Sequence, residues 1–311
     1  MSDPTAADIE RAWQDPKLAN ILYHDWEAGT YDDKWSISFD KRCIDYSVNR
    51  FAHVAGLAEA PYPEALELGC GTGFFMLNLQ LGGVIKSGHV TDLSEKMVEV
   101  ALRNAENLDL PLEGRVADAE SIPYPDESFD LVVGHAVLHH IPDMDVAMGE
   151  VLRVLRPGGR FVFAGEPTQQ GDYVARKLSQ ATWEVSRRIT HLPPLREKWA
   201  RADEELDESS RAAALEAVVD IHTFDPGELE QTCRRAGAVE VETVTDELTA
   251  SWFGWPVRTF EVAVNPEALG FGWAKFAFRS WTALNWLDET VFDKVVPKKY
   301  FYNVSVTGVK P

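Results

Sequence analysis

The sequence is poor in cysteine. It holds only three in 311 residues, and Cys43, Cys70 and Cys233 are too widely spaced to follow a metal-ligand pattern. A disulfide framework is therefore excluded as the organising feature of the fold. Such usage is typical of a reducing compartment, so we expect a cytoplasmic protein. The first residues do not combine basic side chains with an apolar run, and we therefore expect no signal peptide.

Long apolar runs and basic residues are also scarce. The longest weakly charged stretches are interrupted by Arg258, Glu261, Lys275 and Arg279, so we expect no membrane span. Thirty Lys and Arg face 50 Asp and Glu, which gives a formal net charge of -20. This charge repels phosphate backbones and argues against a nucleic-acid substrate, while it tolerates a cationic ligand.

What the chain does contain is a regular alternation of strands and helices. Strands are predicted at 64–68, 88–93, 114–119, 129–135 and 160–166, with a sixth after Gly237 and a seventh within 300–309. Between the first five, apolar residues recur at helical spacing and Ser94 provides a helix cap. This order predicts a parallel sheet with helices on both faces.

Two segments interrupt this alternation. Residues 167–222 follow strand five, and residues 247–298 separate strands six and seven. Because ligands bind at the carboxyl ends of parallel strands, we expect both insertions to cap the ligand side. All ten tryptophans lie outside residues 65–165. Two uses of the aromatic residues stay open: a satellite core or subunit interface, giving a homo-oligomer through 247–298, and a pocket for an apolar acceptor.

The glycine turn in ALELGCGTGFF, residues 65–75, carries the first functional signal. Gly69, Gly71 and Gly73 follow an apolar strand and precede a helix, so backbone N–H groups can face a ligand. The dinucleotide fingerprint requires a glycine where Phe74 stands, and a phosphate-binding P-loop requires Lys followed by Ser or Thr. Neither pattern is present, which favours a ligand without a phosphate.

Two aspartates narrow the choice of ligand. Asp92 ends strand two, where a carboxylate can accept both hydroxyls of a ribose, and Asp118 ends strand three, within reach of an adenine amino group. A helix cap is the alternative role for Asp92, and a solvated loop acid is the alternative for Asp118. Ribose and adenine bound without phosphate match S-adenosylmethionine, whose sulfonium cation suits an acidic protein.

At this point the chain resembles the class I S-adenosylmethionine-dependent methyltransferases of the small-molecule group. Four segments are similar to successive motifs of that family: LELGCGTG, VTDLSEKMVEVA, VADAESIPYPDESFDLVVGHAVLHHIPD and EVLRVLRPGGRFVFAGEP. The resemblance implies an α/β, Rossmann-like seven-stranded sheet of order 3-2-1-4-5-7-6, with helical insertions after strand five and between strands six and seven. It implies an N-terminal helical lid over 1–58 and a methyltransferase domain over 59–311, with cap insertions at 167–222 and 247–298.

The resemblance also implies which residues contact the cofactor. Those expected at its methionine part are Glu67, Gly69, Cys70, Gly71 and Gly73, those at its ribose are Asp92 and Leu93, and those at its adenine are Met97, Asp118 and Ala119. His135 is expected beside the cofactor, and Tyr31 in GTYDDKW is expected to close over it. Ordinary packing is the alternative role for Tyr31, Cys70 and Met97.

Transfer to an oxygen requires a base in addition to alignment of the acceptor with the methyl group. The candidates are Glu166 at the end of strand five and His139 and His140 after strand four. Glu166 is the first choice, because burial under an aromatic cover would raise the pKa of its carboxyl. A turn residue bonded to backbone is its alternative role. No cluster has convincing metal-ligand spacing, so we expect no required metal.

These features predict an S-adenosylmethionine-dependent methyltransferase that acts on a small, apolar or aromatic acceptor. O-methylation is the first choice, and C-methylation of a terpenoid or lipid-like acceptor is the alternative. Two functions of other classes stay open: an NAD(P)-dependent oxidoreductase and a non-catalytic binding scaffold.

Overall fold

The fold was analysed in a computed structural model of the chain, which describes residues 12, 14–201 and 219–311. The chain divides into two compact units. Unit 1 comprises residues 1–166, 215–244 and 305–311, and unit 2 comprises residues 167–214 and 245–304. The predicted lid and cap boundaries remain predictions, and part of the first insertion lies outside the described residues.

A seven-stranded mixed sheet organises the chain. Its strands are β1 (Tyr62–Leu68), β2 (Ile85–Asp92), β3 (Leu112–Val116), β4 (Phe129–His135), β5 (Leu155–Pro167), β6 (Val239–Asp246) and β7 (Asn303–Val309). Their order is β3-β2-β1-β4-β5-β7-β6, and β1 to β5 pair in parallel. Gly158 bonds with Lys310 while Phe161 bonds with Thr307, so β7 runs antiparallel to β5. The predicted strand order is confirmed.

The described helices follow the strands in the expected alternation. They are α1 (Pro16–Glu27), α2 (Tyr31–Trp35), α3 (Lys41–Ala55), α4 (Phe74–Leu81), α5 (Glu95–Asn107), α6 (Met144–Val154), α7 (Gln169–Thr190), α8 (Pro193–Trp199), α9 (Pro226–Ala236), α10 (Thr249–Ala263) and α11 (Phe271–Thr290). Ser94 caps α5 by accepting the Met97 N–H, and Asp225 caps α9, as predicted. The helices of the two insertions are α7 and α8, and α10 and α11.

The core of unit 1 explains why the sheet is apolar on both faces. Leu131 and Val133 of β4 and Val162 of β5 are fully buried, and they belong to one apolar cluster with Phe75 and Leu79 of α4. Strands covered by helices on both faces need such continuous apolar runs. The buried sheet therefore presents its polar residues where strands end, which is where the functional residues lie.

Asp15 caps α1, which begins at Pro16, while residues 1–11 and 13 lie outside the described part. The bounds of two strands differ from those predicted. Strand β3 ends at Val116, before Asp118. Strand β5 already begins at Leu155, since the proline at 157 disfavours a helical conformation for the residue before it.

In unit 2, helix α10 packs against α7 and α11. Asp288 of α11 is 1% exposed and accepts hydrogen bonds from the N–H groups of Leu248, Thr249 and Ala250 at 2.9–3.0 Å. A carboxylate at the first N–H groups of a helix satisfies them and complements the helix dipole, so Asp288 fixes the start of α10 on α11. Among the described helices, none has the length and hydropathy needed to cross a membrane.

Candidate functional site

The turn between β1 and α4 is made by three glycines in left-handed backbone conformations. The φ angles of Gly69, Gly71 and Gly73 are 58°, 51° and 85°, a region that side-chain-bearing residues rarely adopt. The Cys70 N–H donates to the Thr91 carbonyl at 3.0 Å, which ties the turn to β2. The turn therefore stands at the carboxyl ends of β1 and β2, the ligand side of a parallel sheet.

Gly69 and Gly71 differ in the space around them and form a matched pair for substitution. A Cβ on Gly69 would lie 2.2 Å from Val137 Cγ2, whereas the nearest atom to a Cβ on Gly71 is Tyr31 Cε1 at 3.9 Å. We expect Gly71→Ala to lower the free energy of unfolding by about 1–2 kcal/mol, because alanine is strained at a positive φ. Gly69→Ala should lower it by about 2–4 kcal/mol, because the new methyl group also overlaps the Val137 side chain. Chemical denaturation measures both.

The control for this prediction is a double-mutant cycle with Val137→Ala. Removing the Val137 methyl groups should destabilise the protein less in the Gly69→Ala background than in the unmutated chain, because it also relieves the overlap. Equal losses for Gly69→Ala and Gly71→Ala, or additive effects in the cycle, would contradict the packing argument.

Asp92 joins this turn to the start of α5. Its Oδ2 accepts the Gly71 N–H at 2.9 Å and its Oδ1 accepts the Ser94 N–H at 2.9 Å. The residue is 7% exposed, and burial raises the pKa of its carboxyl to about 6, although these N–H groups act in the opposite direction. Because a carboxylate has about four acceptor positions, these N–H groups leave room for a hydroxyl group of a ligand.

Glu67 and Thr72 are the other polar residues of the turn. Glu67 is 1% exposed and accepts the Met76 N–H at 3.2 Å. Burial raises the pKa of its carboxyl well above the usual range, and the charge of Asp92 acts in the same direction. The Thr72 hydroxyl is buried without a hydrogen-bond partner among the described residues. A buried, unsatisfied hydroxyl beside a glycine turn fits a polar ligand at this position.

Helices α1 and α2 bring Tyr31 to the same turn. Its ring lies beside Gly71 and packs against Met97 and Val100 of α5. The predicted role of Tyr31 in closing over the cofactor stays a prediction. Met97 itself is fully buried within this apolar cluster, and its role as an adenine neighbour stays a prediction.

Asp118 lies two residues beyond β3 and has a protein cation as its partner. Lys17 Nζ is 2.6 Å from Asp118 Oδ2 and 2.5 Å from Glu120 Oε2. These bonds raise the pKa of the Lys17 ammonium, against the effect of burial. An adenine amino group at Asp118 would therefore share the carboxylate with Lys17. The adenine contacts of Asp118 and Ala119 and the ribose contact of Leu93 stay predictions.

His135 ends β4 in an aromatic environment. Its Nε2 is 3.2 Å from the Tyr46 hydroxyl, and its ring meets Phe74 and Phe75 at centroid distances of 5.5 and 5.3 Å. Burial lowers the pKa of His135 to about 4, and the Arg50 charge acts in the same direction. The ring is therefore neutral at physiological pH. One of its nitrogens can then donate a hydrogen bond and the other can accept one.

Glu166 is fully buried and bonded from several sides. Its Oε1 accepts the N–H groups of Val137 and Leu138 at 2.9 Å, and its Oε2 accepts the His139 N–H at 3.2 Å and lies 2.8 Å from His139 Nδ1. Burial alone would raise the pKa of this carboxyl, but the bonds from His139 and the backbone outweigh it, so the pKa lies below the usual range. The expected rise is therefore wrong, because donors inside the fold stabilise the charged form.

The two histidines after β4 have different surroundings. His139 Nε2 is 3.6 Å from Asp220 Oδ1, on the side of the ring opposite Glu166. His140 Nδ1 lies 2.9 Å from the Val219 carbonyl, and its ring meets the His24 ring at 5.6 Å. Burial lowers the pKa of His140 well below the usual range, and His139 and His24 add to this effect. His140 is therefore a weak proton acceptor.

Asp220 and His24 belong to this site but have no clear signal in the sequence. His24 lies on α1 among charged residues, and burial lowers its pKa to about 4. Asp220 lies near the end of the first insertion, which is rich in acidic residues, and the sequence does not distinguish this aspartate from the others. Only the tertiary fold brings both to the end of β4.

These residues also include a group that could hold a metal ion. His139, His140 and Asp220 offer ligand atoms that lie within 4.8 Å of one another. Both Nδ1 atoms, however, lie within hydrogen-bond distance of protein oxygens, those of Glu166 and Val219. The expectation that no metal is required stays a prediction.

Comparison with known proteins adds evidence for the family. The family described as "Methyltransferase domain" matches residues 66–163. The 27-O-demethylrifamycin SV methyltransferase of Amycolatopsis mediterranei is 30% identical over 166 residues, which are 51% of this chain and 58% of that protein. The mitochondrial arginine-hydroxylase NDUFAF5 of Rattus norvegicus is 38% identical over 103 residues, 33% of this chain and 29% of that protein.

A solved structure extends the likeness over most of the chain. Phosphoethanolamine N-methyltransferase 2 of Haemonchus contortus, in complex with S-adenosyl-L-methionine, has a TM-score of 0.53 at 14% identity and covers 93% of this chain and 60% of that one. At this identity the likeness concerns the fold. This chain spans less than two thirds of the length of the curated relatives it matches.

The matched family, the strand order and the glycine turn agree with one another. Residues 66–163 include the end of β1, the turn, Asp92 and β4, so the match covers the part of the sheet that carries the site. Residues 66–163 of the chain therefore form a methyltransferase domain, set in a seven-stranded sheet of order 3-2-1-4-5-7-6.

Proposed function

We propose that this chain catalyses methyl transfer from S-adenosylmethionine to an oxygen of a small, apolar or aromatic acceptor. The observation that carries the proposal is the glycine turn with Asp92 beside it, inside a methyltransferase domain. The turn offers a buried carboxylate pair, Asp92 and Glu67, and an unsatisfied hydroxyl, while its own residues include no cation for a phosphate. The bound cofactor would supply an electrophilic methyl group on a sulfonium centre.

The residues of the turn have separate tasks in this proposal. Asp92 accepts the ribose hydroxyls, while its bonds to Gly71 and Ser94 hold the turn and α5 in register. Glu67 provides a buried carboxyl toward the cationic amino end of the ligand. Tyr31 covers the turn from the side of α2, which limits the access of water to the site.

His139 is the residue we assign as the base. Glu166 accepts the hydrogen bond of His139 Nδ1–H, so Nε2 is the acceptor nitrogen of the neutral ring and points away from the buried carboxylate. When Nε2 takes a proton, Glu166 and Asp220 both lie beside the resulting cation. Glu166 is thus a positioning residue, because its own oxygens already accept bonds from three N–H groups and the imidazole.

The nature of the acceptor is supported by composition and by one relative. Unit 2 is rich in aromatic side chains, and the rings of Phe260, Trp273 and Phe276 lie 5.1–5.8 Å apart. The relative from Amycolatopsis is named for methylating a 27-O-demethyl compound, which supports oxygen as the accepting atom. The relative from rat is named as a hydroxylase, so transfer must be measured directly rather than assumed.

The test of the function combines binding with transfer. We expect calorimetry to show binding of S-adenosylhomocysteine and none of NAD(P), and labelled S-adenosylmethionine to transfer its methyl group into an apolar fraction of a metabolite extract. A preference for NAD(P) would replace the proposal by an oxidoreductase. Cofactor binding without transfer to any fraction would favour a non-catalytic scaffold.

The raised pKa of Asp92 predicts a pH dependence of cofactor affinity. Because the charged carboxylate is the better acceptor and its pKa is about 6, we expect full affinity above pH 6 and a loss of up to about tenfold per unit below it. Titration of S-adenosylhomocysteine between pH 5 and 8 measures this. Because asparagine cannot ionise, Asp92→Asn should bind S-adenosylhomocysteine more weakly, and its affinity should lack the loss near pH 6 that comes from this group. An identical slope in both proteins would assign the dependence to another group, such as Glu67.

A further inference from the structure

The outer face of α11 carries large apolar and basic side chains together. At 100° per residue, Phe271, Lys275, Phe278, Arg279 and Trp286 fall within about a third of the helix circumference. Phe271 is 83% exposed, Phe278 51% and Trp286 64%. Exposed aromatic residues of this size, grouped on one helix face, are typical of an interaction surface.

The same composition continues beyond the helix. Val295 is 71% exposed and Tyr300 42%, and the basic residues Lys294, Lys298 and Lys299 lie between or beside them. We call the exposed residues Phe271, Lys275, Phe278, Arg279 and Trp286 of α11 the α11 surface. Residues 271–300 contain five basic and three acidic residues, although the whole chain has a net charge of -20. Of the three acids, Asp288 is buried and bonded to the start of α10, and Glu289 lies on the outer face, where it accepts a hydrogen bond from the Asn285 amide.

The α11 surface is separate from the face by which α11 packs inside unit 2. Trp273 meets Phe260 of α10 at a ring-centroid distance of 5.1 Å, and Asp288 caps α10. These contacts already anchor the helix. The packing of α11 inside unit 2 therefore uses other side chains. The aromatic residues on the α11 surface are exposed to solvent and can contact a partner.

We propose that the α11 surface binds the surface of an anionic lipid bilayer, with α11 lying in the plane of the interface. In this orientation the aromatic side chains insert between the lipid headgroups. The long aliphatic parts of Lys275 and Arg279 let their charged ends reach the lipid phosphates. A symmetric interface between two copies is less favourable, because it would place the basic residues against themselves. The local positive charge, within a strongly acidic chain, matches an anionic partner.

Sedimentation of the protein with lipid vesicles tests this proposal. We expect binding to vesicles with 30 mol% phosphatidylglycerol, weak binding to pure phosphatidylcholine, and loss of binding at high salt, where screening is strong. Lys275→Gln with Arg279→Gln should lower the partition coefficient about thirtyfold. Phe278→Ser and Trp286→Ser should each lower it about tenfold.

The controls are matched substitutions elsewhere on unit 2. Tyr173→Ser removes an aromatic residue that is 59% exposed on α7, and Arg188→Gln removes a basic side chain that is 79% exposed on the same helix. Both should leave partitioning unchanged. Absence of binding to anionic vesicles, or equal losses in the control variants, would overturn the proposal. If sedimentation shows a dimer that does not bind vesicles, and Trp286→Ser converts this dimer to a monomer, the α11 surface binds a second copy of the chain instead.

Discussion

Replacing Asp92 by alanine is expected to weaken binding of S-adenosylhomocysteine about 100-fold. In the proposed site the substitution removes the charged acceptor assigned to the ribose hydroxyls, and hydrogen bonds to charged groups contribute about 1.5–3 kcal/mol each. It also frees the N–H groups of Gly71 and Ser94, which loosens the turn that the ligand contacts. Isothermal calorimetry at pH 7.5 measures the change, since Asp92 is ionised well above pH 6.

A matched aspartate separates this binding effect from damage to the fold. Asp130, near the start of β4, also accepts a backbone N–H, that of Glu64 at 3.1 Å, and pairs with Arg156 at 2.7 Å. It lies at the amino ends of the strands, opposite the ligand side. Asp130→Ala should lower stability without a comparable loss of affinity. If Asp92→Ala and the unmutated chain bind equally well, the ribose assignment is wrong.

The glycine turn and the sheet were predictable because both depend on local sequence. Positive φ at Gly69, Gly71 and Gly73 selects glycine, and apolar strands between helical segments specify a parallel sheet. The strand order followed from the resemblance of four motifs. These features are encoded within short segments, so the sequence pattern was sufficient to place Asp92 beside the turn.

The partners of Glu166 were not predictable in the same way. The sequence places this carboxylate at the end of an apolar strand, which suggests a raised pKa. In the structure, the residues after β4 turn back so that Val137, Leu138 and His139 donate to it. The pKa of Glu166 is lowered because the chain after β4 folds back toward this carboxylate, where the His139 side chain and the backbone donate hydrogen bonds to it. Asp220 joins His139 from a segment distant in sequence, and no local pattern indicates such a contact.

His139→Gln is expected to lower the rate of methyl transfer by about 10²–10⁴-fold, while affinity for S-adenosylhomocysteine changes little. The substitution removes the proton acceptor and leaves the glycine turn and Asp92 intact. Single-turnover transfer into the accepting fraction of the extract measures the rate. His140→Gln is the matched comparison: it changes the neighbouring histidine, whose lowered pKa makes it a poor base, and should cost less than tenfold.

Glu166→Gln distinguishes a positioning residue from a base. Without the negative charge at His139 Nδ1, the imidazolium loses stabilisation, so the pKa of His139 falls and the acidic limb of the pH–rate profile moves to lower pH. If Glu166 were itself the base, the glutamine variant would lose the rate at every pH, without a shift of the limb. His139→Gln would then retain a pH-dependent rate, because the carboxylate would still accept the proton. The two variants together therefore assign the base, whichever of the two residues it is.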